Sequence, residues 1–248
     1  NQLSYPLHTG EKRDLNYGFM NMKTSLCADE VWFNSHYHQK EFLHTLDESL
    51  KLMPDKKLAG VSQTIAEKAL VIPQGIDSIN FKDRDLNTIP HILWAARWEY
   101  DKNPALFFDA LSQLTVDFNL SVIGESFRNT PPLFDDAKEQ FKDQIIHWGY
   151  QESRTQYLQV LEESDIIVST AKHEFFGISV VEAVHAGCQP LVPNALAYPE
   201  VLNLGNNPDY FYDGSQEDLS TKLETLLSEP NHLSQESRRL RHKECAKF

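Results

Sequence analysis

The fold of this chain is indicated most clearly by residues 169–182, which have the sequence STAKHEFFGISVVE. The stretch begins in an apolar strand pattern and passes through a loop into a predicted helix that starts at Ile178. The first N–H groups of a helix have no partner within it, so Phe176, Gly177 and Ile178 are predicted to expose N–H groups that suit a phosphate. Gly177 lacks a side chain, which lets a ligand come close to the backbone.

The same stretch contains two carboxylates, Glu174 before the helix and Glu182 inside it. A carboxylate accepts hydrogen bonds from adjacent hydroxyls, so one glutamate is a candidate for holding a sugar ring and the other for holding the ribose of a nucleotide. A glutamate on a helix is more often simply solvated. The spacing of the two residues does not by itself decide between these interpretations.

From residue 91 onwards, strand patterns alternate with helix patterns. This alternation predicts right-handed βαβ units and an α/β fold, with a parallel sheet covered by helices on both faces. Ligands of such sheets bind beyond the carboxyl ends of the strands. The predicted strands are 91–96, 120–124, 145–148, 165–170, 189–192 and 210–212, and the predicted helices are 104–114, 133–142, 154–162, 178–186, 219–227 and 232–243.

The loop after the first of these strands contains two cations, Arg97 and Lys102. Arginine binds phosphate oxygens in a bidentate fork and lysine supplies a point charge, so this loop suits a diphosphate. The alternative is a solvated loop in which the two cations pair with Glu99 and Asp101.

Two further loops at the predicted ligand-binding edge are candidates for nucleotide contacts. Gly124, followed by Glu125, allows a flat or phosphate-bearing group to approach, although a glycine there also makes an ordinary turn. His147, Gly149 and Tyr150 offer backbone groups and an aromatic wall to a base, and ordinary packing at a strand end is the alternative.

The first part of the chain has a shorter α/β pattern. Helices are predicted over 13–30 and 37–50, a buried strand over 30–35, and a short apolar strand over 69–73. Residues 74–90 are mostly polar and have the pattern of a linker. The predicted domain limits are 1–78 for the first domain, 79–90 for the linker, 91–228 for the second domain and 229–248 for a C-terminal helix.

The composition excludes some classes of protein. The 248 residues are 41% hydrophobic and 24% charged, with 23 Lys and Arg against 36 Asp and Glu, and a net charge of −13 disfavours general coating of nucleic acid. Basic residues cluster near the C-terminus, either as a local basic patch or, as the sequence favours, as a solvated helix face. They are Arg238, Arg239, Arg241, Lys243 and Lys247.

The location predicted from the sequence is the cytoplasm. No apolar run approaches the roughly 18 residues of a membrane span, so no membrane partner is expected. The three cysteines, Cys27, Cys188 and Cys245, are far apart in the sequence, and a reducing compartment fits them best.

The second half resembles the nucleotide-sugar-binding domain of GT-B glycosyltransferases of the retaining family-four type, over residues 90–228. The matching features are an E-x7-E motif from Glu174 to Glu182, its continuation to Pro190, and the cation pair. Most of the chain is also similar to the queuosine-tRNA mannosyltransferase family. The segments that carry this similarity are NQLSYP at 1–6, 94–102, 147–150 and 169–177.

The resemblance implies a role for each donor-site residue. Arg97 and Lys102 would stabilise the leaving diphosphate, Glu174 would bind hydroxyls of the hexose, and Glu182 would bind the ribose. The backbone amides of 176–179 would hold the phosphate and sugar. The remaining donor-contacting candidates of this loop are Lys172, His173, Phe175, Phe176, Gly177, Ile178 and Ser179.

The resemblance also implies the partners of the protein. The donor would be a nucleotide sugar, GDP-mannose, the acceptor would be queuosine in tRNA, and no metal or other cofactor would be required. Residues 1–78 would be the trailing part of an N-terminal, acceptor-side Rossmann-like domain, so a missing N-terminal half is expected. Contact with tRNA would need a basic strip, for which the candidates are Lys51, Lys56, Lys57 and the C-terminal arginines.

Three alternatives stay open from the sequence. One is a module that binds nucleotide sugars without transferring them, and another is a family-four transferase with a different hexose or acceptor. A dehydrogenase is the third, and it is disfavoured because no G-x-G-x-x-G motif follows a predicted strand.

Overall fold

The computed structural model of this protein describes residues 3–7, 13–52, 58–79, 81–126, 132–203 and 205–245. The chain forms two compact units. The first contains residues 1–74 and 173–176, and the second contains residues 75–172 and 177–248. The domain limits predicted from the sequence stay predictions. Five residues used in the sequence analysis, Asn1, Gln2, Lys56, Lys57 and Lys247, lie outside the described residues.

The first unit is a small α/β arrangement around two parallel strands. Its helices pack around a cluster of buried apolar side chains that includes Met22, Phe42 and Ile65. Asp14 and Ser35 cap the first two helices by accepting hydrogen bonds from backbone N–H groups. The elements are α1 (Leu15–Cys27), β1 (Val31–Phe33), α2 (His36–Lys51), α3 (Val61–Ala66) and β2 (Ala69–Val71).

The two long helices and both strands of the first unit confirm the sequence pattern, with two differences. The prediction that 30–35 is a buried strand is wrong for Trp32, whose exposed fraction is 63%, since only Phe33 of β1 is buried. Helix α3 was not predicted, because its six residues are too few to show a helical period.

The second unit contains a parallel sheet of six strands within the described residues. The strand order is β5-β4-β3-β6-β7-β8. From β3 the chain adds β4 and β5 on one side, and it then returns to place β6, β7 and β8 on the other side of β3. The elements are β3 (His91–Ala95), α4 (Pro104–Leu111), β4 (Asn119–Ile123), α5 (Leu133–Gln140), β5 (Ile145–Gly149), α6 (Arg154–Glu163), β6 (Ile166–Val168), α7 (Ile178–His185), β7 (Gln189–Pro193), α8 (Tyr198–Val201), β8 (Phe211–Tyr212), α9 (Gln216–Ser228) and α10 (Gln235–Cys245).

This strand order confirms the predicted fold class and locates its ligand-binding edge. The order reverses between β3 and β6, and in doubly wound sheets ligands bind outside the carboxyl ends of the strands at that reversal. All five residues of β3 are buried, as expected for a central strand with helices on both faces. The loops that follow β3 and β6 therefore lie at the expected ligand-binding point of the sheet.

Two members of the basic C-terminal cluster do not lie on a solvated helix face. Arg238 and Arg241 of α10 are buried, with exposed fractions of 1% and 3%. The Arg238 guanidinium donates to the carbonyls of Ser164 and Ala186, and that of Arg241 donates to the carbonyl of Gly187. These two arginines are consequently unavailable as part of a surface patch, which corrects both interpretations for Arg238 and Arg241. Arg239 and Lys243 are exposed, as both interpretations require.

None of the helices formed by the described residues is both long enough and apolar enough to cross a membrane.

Candidate functional site

The loops after β3 and β6 are joined by backbone and side-chain hydrogen bonds. The Thr170 hydroxyl donates to the carbonyl of Lys102 at 2.8 Å, and the Lys172 N–H donates to the carbonyl of Asp101 at 2.7 Å. The strand order brings these loops side by side at the reversal. The predicted cation loop and the start of the predicted phosphate loop therefore lie together in the second unit.

Arg97 and Lys102 differ in how firmly they are held. The Arg97 side chain is half exposed, and its guanidinium lies 3.1 Å from the Glu99 carboxylate. Lys102 is only 11% exposed, and its Nζ lies 3.4 Å from the carboxylate of Asp101, which is 1% exposed. Both ion pairs named as the alternative in the sequence analysis are thus present. An exposed pair such as Arg97–Glu99 contributes only about 0–1 kcal/mol, so the guanidinium can exchange this partner for a phosphate at little cost.

Gly124 permits the close approach of the loops after β3 and β4. Its φ is +150°, and a Cβ there would lie 1.8 Å from the carbonyl oxygen of Ala96, so no other residue fits this backbone. The Trp98 N–H donates to the carbonyl of Glu125 at 2.9 Å. Glu125 itself is exposed beside the cation loop.

The third candidate loop is placed differently from its prediction. His147 and Gly149 belong to β5, and only Tyr150, with an exposed fraction of 63%, lies beyond the strand. The Nε2 of His147 is 3.0 Å from the Glu163 carboxylate, so this side chain already has a partner on α6. Gly149 has a φ of +95° and its carbonyl accepts from the N–H of Gly124 at 3.2 Å, which brings the ends of β4 and β5 together. Their contact with a nucleotide stays a prediction.

Helix α7 begins at the reversal point with a glycine that its surroundings require. Gly177 is the N-cap, has a φ of +85° and gives no side-chain cap to the helix. A Cβ there would lie 2.7 Å from Cε1 of Tyr198, whose hydroxyl is 2.7 Å from Oγ of Ser169. The Ser179 hydroxyl donates to the carbonyl of Ala95 at 2.8 Å and so holds the first turn of α7 against the end of β3. Ile178, at 38% exposure, is the exposed residue of this turn.

Residues 173–176 group with the first unit, although the residues on either side of them group with the second. Within this segment the Glu174 carboxylate accepts from the N–H of Phe175 at 3.0 Å and from that of Phe176 at 3.4 Å. The N–H of Phe176 is therefore not unpaired as predicted, because an adjacent carboxylate takes it. The role of Glu174 in binding a hexose stays a prediction.

Side chains of the first unit hold this segment in place. The Ser35 hydroxyl donates to the carbonyl of Phe175 at 2.8 Å, and the His38 ring stacks on the Phe175 ring with centroids 4.0 Å apart. Nε2 of His173 is 3.4 Å from Oγ of Ser4. Burial is the main reason that the pKa of His38 falls to about 4, which keeps its ring neutral at pH 7.

Glu182 is the predicted residue with the most defined surroundings, and its partners were missed from the sequence. The carboxylate is 7% exposed and is bonded by Arg154 at 2.5 Å and by the hydroxyl of Tyr157 at 2.8 Å. The partners are 25 and 28 residues away along the chain, so no local pattern links them to Glu182. An arginine in the first turn of the helix after β5, at the ligand-binding edge, was the available signal.

The described residues contain no cluster of three or more His, Cys, Asp or Glu side chains that could hold a metal ion.

Within the second unit, the reversal point brings together five of the predicted site residues. They are Arg97, Lys102, Gly124, Lys172 and Gly177.

Comparison with known proteins identifies the family. Residues 77–243 match the family model described as glycosyl transferases group 1. This chain belongs to the group 1 glycosyl transferases. Residues 1–76 match a second model, described as the N-terminal part of tRNA-queuosine alpha-mannosyltransferase.

A curated relative of this group 1 glycosyl transferase is the tRNA-queuosine alpha-mannosyltransferase of Drosophila melanogaster. The two are 37% identical over 216 residues, which cover 81% of this chain and 57% of the relative. The chain thus spans little more than half the length of that protein.

Solved structures support the same fold. Sucrose-phosphate synthase from Thermosynechococcus elongatus is similar with a TM-score of 0.73 and 15% identity, over 99% of this chain and 60% of that one. Anabaena HepE, solved with UDP and glucose, is similar with a TM-score of 0.67 and 17% identity, over 92% of this chain and 62% of that one. At these identities the comparison establishes the GT-B fold of this group 1 glycosyl transferase.

Proposed function

We propose that this group 1 glycosyl transferase is part of a retaining mannosyltransferase that moves mannose from GDP-mannose to queuosine in tRNA. The observation that carries the proposal is the match of residues 1–76 to the N-terminal model of tRNA-queuosine alpha-mannosyltransferases, in the same chain as the joined loops that contain Lys102 and Thr170. The Drosophila relative, which bears the same name, supports it further. We propose the cytoplasm as the location, since Cys27 and Cys188 are free thiols.

The proposed chemistry is a transfer on one face of the sugar. The bond between the sugar C1 and the diphosphate oxygen breaks, and a bond forms between C1 and the acceptor hydroxyl oxygen. The hydroxyl proton passes to the departing diphosphate oxygen. Arg97 and Lys102 stabilise the negative charge that develops on this diphosphate, and the N-terminus of α7 adds its dipole. Glu174 binds hydroxyls of the mannose. The proposed reaction uses no metal ion.

The proposal assigns the acceptor side to the first unit. The two-stranded sheet of this unit exposes the apolar side chains of Trp32 and Leu70, which are partners in the strand register, at 63% and 45%, and such a pair suits contact with another apolar surface. For tRNA contact, Lys51 is exposed and pairs with Glu48 at 2.6 Å, an interaction that a phosphate can replace. Arg238 and Arg241 take no part, because they are buried.

A thermal-shift screen with GDP-mannose, UDP-glucose and ADP-glucose tests the donor. At a ligand concentration of 100 times its Kd, binding adds about 2.7 kcal/mol of stability, which corresponds to a rise in Tm of about 5–10 °C for a chain of this size. We expect that rise with GDP-mannose only. A rise with UDP-glucose or ADP-glucose instead would reject GDP-mannose as the donor, and no rise with any of them would reject donor binding.

A second candidate function is a module that binds the donor without transferring the sugar. The observation in its favour is that Arg97 and Lys102 each already pair with a carboxylate of their own loop, Glu99 and Asp101. Transfer of mannose to queuosine-containing tRNA, measured by mass spectrometry of the nucleosides, separates the two. Donor binding without transferred mannose supports the module.

A further inference from the structure

Each oxygen of the Glu182 carboxylate accepts a hydrogen bond from a different side chain. Oε1 accepts from an Nη of Arg154 at 2.5 Å and Oε2 accepts from the hydroxyl of Tyr157 at 2.8 Å. A carboxylate oxygen has two acceptor positions, so each oxygen keeps one for another donor. The positive charge of Arg154 also offsets the cost of placing a carboxylate at 7% exposure.

The start of α6 explains why these two donors arrive together. Ser153 and Gln156 form a capping box that fixes the first turn of this helix. Arg154 and Tyr157 are three residues apart and so lie on the same side of the helix, with the guanidinium carbon 5.1 Å from the centre of the tyrosine ring. Asp77 lies 3.5 Å from the same guanidinium but is 84% exposed, so it adds little.

We propose that Arg154 and Tyr157 are positioning residues that orient Glu182 toward the two hydroxyls of the donor's ribose and so make the site selective for ribonucleotides over 2′-deoxyribonucleotides. This inference rests on the proposed function, since it takes a nucleotide sugar as the ligand. A 2′-deoxynucleotide lacks one hydroxyl donor, so it leaves a buried, fixed carboxylate oxygen without a partner and binds much less tightly. A carboxylate that is not held in place can turn to water instead, and the preference for ribose is then lost.

The ionisation states of the two donors fit this role. Burial first, and then the charge of Glu182, raises the pKa of Tyr157, so its hydroxyl keeps the proton that it donates. The hydrogen bond to Glu182 raises the pKa of Arg154, so the guanidinium stays charged.

Calorimetry with matched nucleotides tests the inference. The 248-residue chain is titrated with GDP, UDP and ADP and with the 2′-deoxy form of each, before and after Tyr157→Phe, Arg154→Gln and Arg154→Lys. We expect the wild type to bind one ribonucleotide about tenfold or more tightly than its deoxy form. We expect Arg154→Gln to reduce that ratio to within about threefold, Tyr157→Phe to reduce it in part, and Arg154→Lys to keep part of it.

Two controls remove equivalent interactions elsewhere in the second unit. Tyr210→Phe deletes a hydroxyl that bonds Glu244 at 3.3 Å, and Arg239→Gln deletes a guanidinium whose Nε bonds Asp83 at 3.0 Å. Both should leave the ribose preference of the wild type unchanged. Tm values are recorded for every variant. If Arg154→Gln fails to fold, the inference is tested by the ribose preference of Tyr157→Phe, which removes the hydroxyl but keeps the ring.

The outcomes separate this inference from the proposed function. If the variants lower the affinity for the ribo and deoxy forms equally, the two residues only join α6 to α7, and the inference is overturned. An unchanged ratio in Tyr157→Phe and Arg154→Gln overturns it as well. If the wild type binds none of the six nucleotides, the proposed function itself fails.

Discussion

Replacing Arg97 by alanine separates the proposed role of this residue, stabilising the leaving diphosphate, from its contribution to the stability of the fold. The Arg97 side chain is 52% exposed and pairs only at the surface with Glu99, so its loss should change the free energy of unfolding by less than about 1 kcal/mol. For a chain of this size, that is a change in Tm of no more than about 4 °C. The residue is therefore a cleaner probe than Lys102, which is 11% exposed beside the buried Asp101.

The expected kinetic effect is much larger than the structural one. Removing one donor that meets developing charge lowers kcat by about 100-fold, equivalent to about 2.7 kcal/mol at the transition state. The ground-state diphosphate is already charged, so we expect donor affinity to fall as well, but by less than about tenfold. In the double variant Arg97→Ala/Lys102→Ala, kcat and donor affinity should both fall further, and kcat should again fall more than donor affinity.

The assay measures GDP released from GDP-mannose in the presence of queuosine-containing tRNA, with donor affinity taken from calorimetry. Lys142→Ala is the matched control, because this lysine is 61% exposed and also pairs with a surface carboxylate, that of Glu139 at 2.9 Å. It should leave both quantities unchanged. Equal losses of turnover and donor affinity in Arg97→Ala would refute the catalytic assignment and leave a binding role only.

Four further outcomes are expected. Glu182→Ala should weaken nucleotide-sugar binding in calorimetry, and unchanged affinity would contradict the ribose contact. Gly177→Ala should lower the free energy of unfolding, measured in urea, by about 1–3 kcal/mol more than Gly214→Ala, because both glycines have a positive φ but only the Cβ at 177 meets a side chain, that of Tyr198. Binding to tRNA should weaken steeply as salt rises, and a flat response would exclude a strip that contacts phosphates. The folded-state pKa of His38, about 4, lies below its unfolded value, so as the pH falls the unfolded chain binds a proton first. The free energy of unfolding should therefore decrease as the pH drops from about 6.5 towards 4, and less steeply in His38→Gln. An identical pH dependence in that variant would exclude His38 as the cause.

The strands and helices of the second unit were predictable because their signals are local. Each strand is a short apolar run and each helix has a period that can be counted in the sequence, and the alternation of the two leaves a parallel sheet as the simple solution. The same reasoning placed Arg97, Lys102 and Gly177 at one edge, since loops after parallel strands share that edge. Short elements such as α3 and α8 escaped because six and four residues do not establish a period.

Interactions between distant parts of the chain were not predictable. Glu182 was singled out, but nothing near it in the sequence indicates that Arg154 and Tyr157 bond its two oxygens. One local contact was missed as well: the sequence predicts that the N–H of Phe176 faces a ligand, whereas in the structure it donates to Glu174, because a carboxylate two residues away can reach it. A carboxylate's partner depends on the fold, and composition and spacing do not contain that information.

Two of the C-terminal arginines also form contacts that their position in the sequence does not indicate, and these contacts are with the helix of the candidate site. Arg238 bonds the carbonyl of Ala186 and Arg241 bonds that of Gly187, so two cations lie at the carboxyl end of α7. Burial lowers the pKa of Arg241 to about 10, which still leaves it charged at pH 7. Cations at a helix C-terminus satisfy its last carbonyls and complement its dipole, while anions complement the opposite end. Two members of the basic cluster, Arg238 and Arg241, therefore stabilise the carboxyl end of the helix that carries Glu182, and the opposite end of that helix is the one at which the proposed diphosphate would complement the dipole.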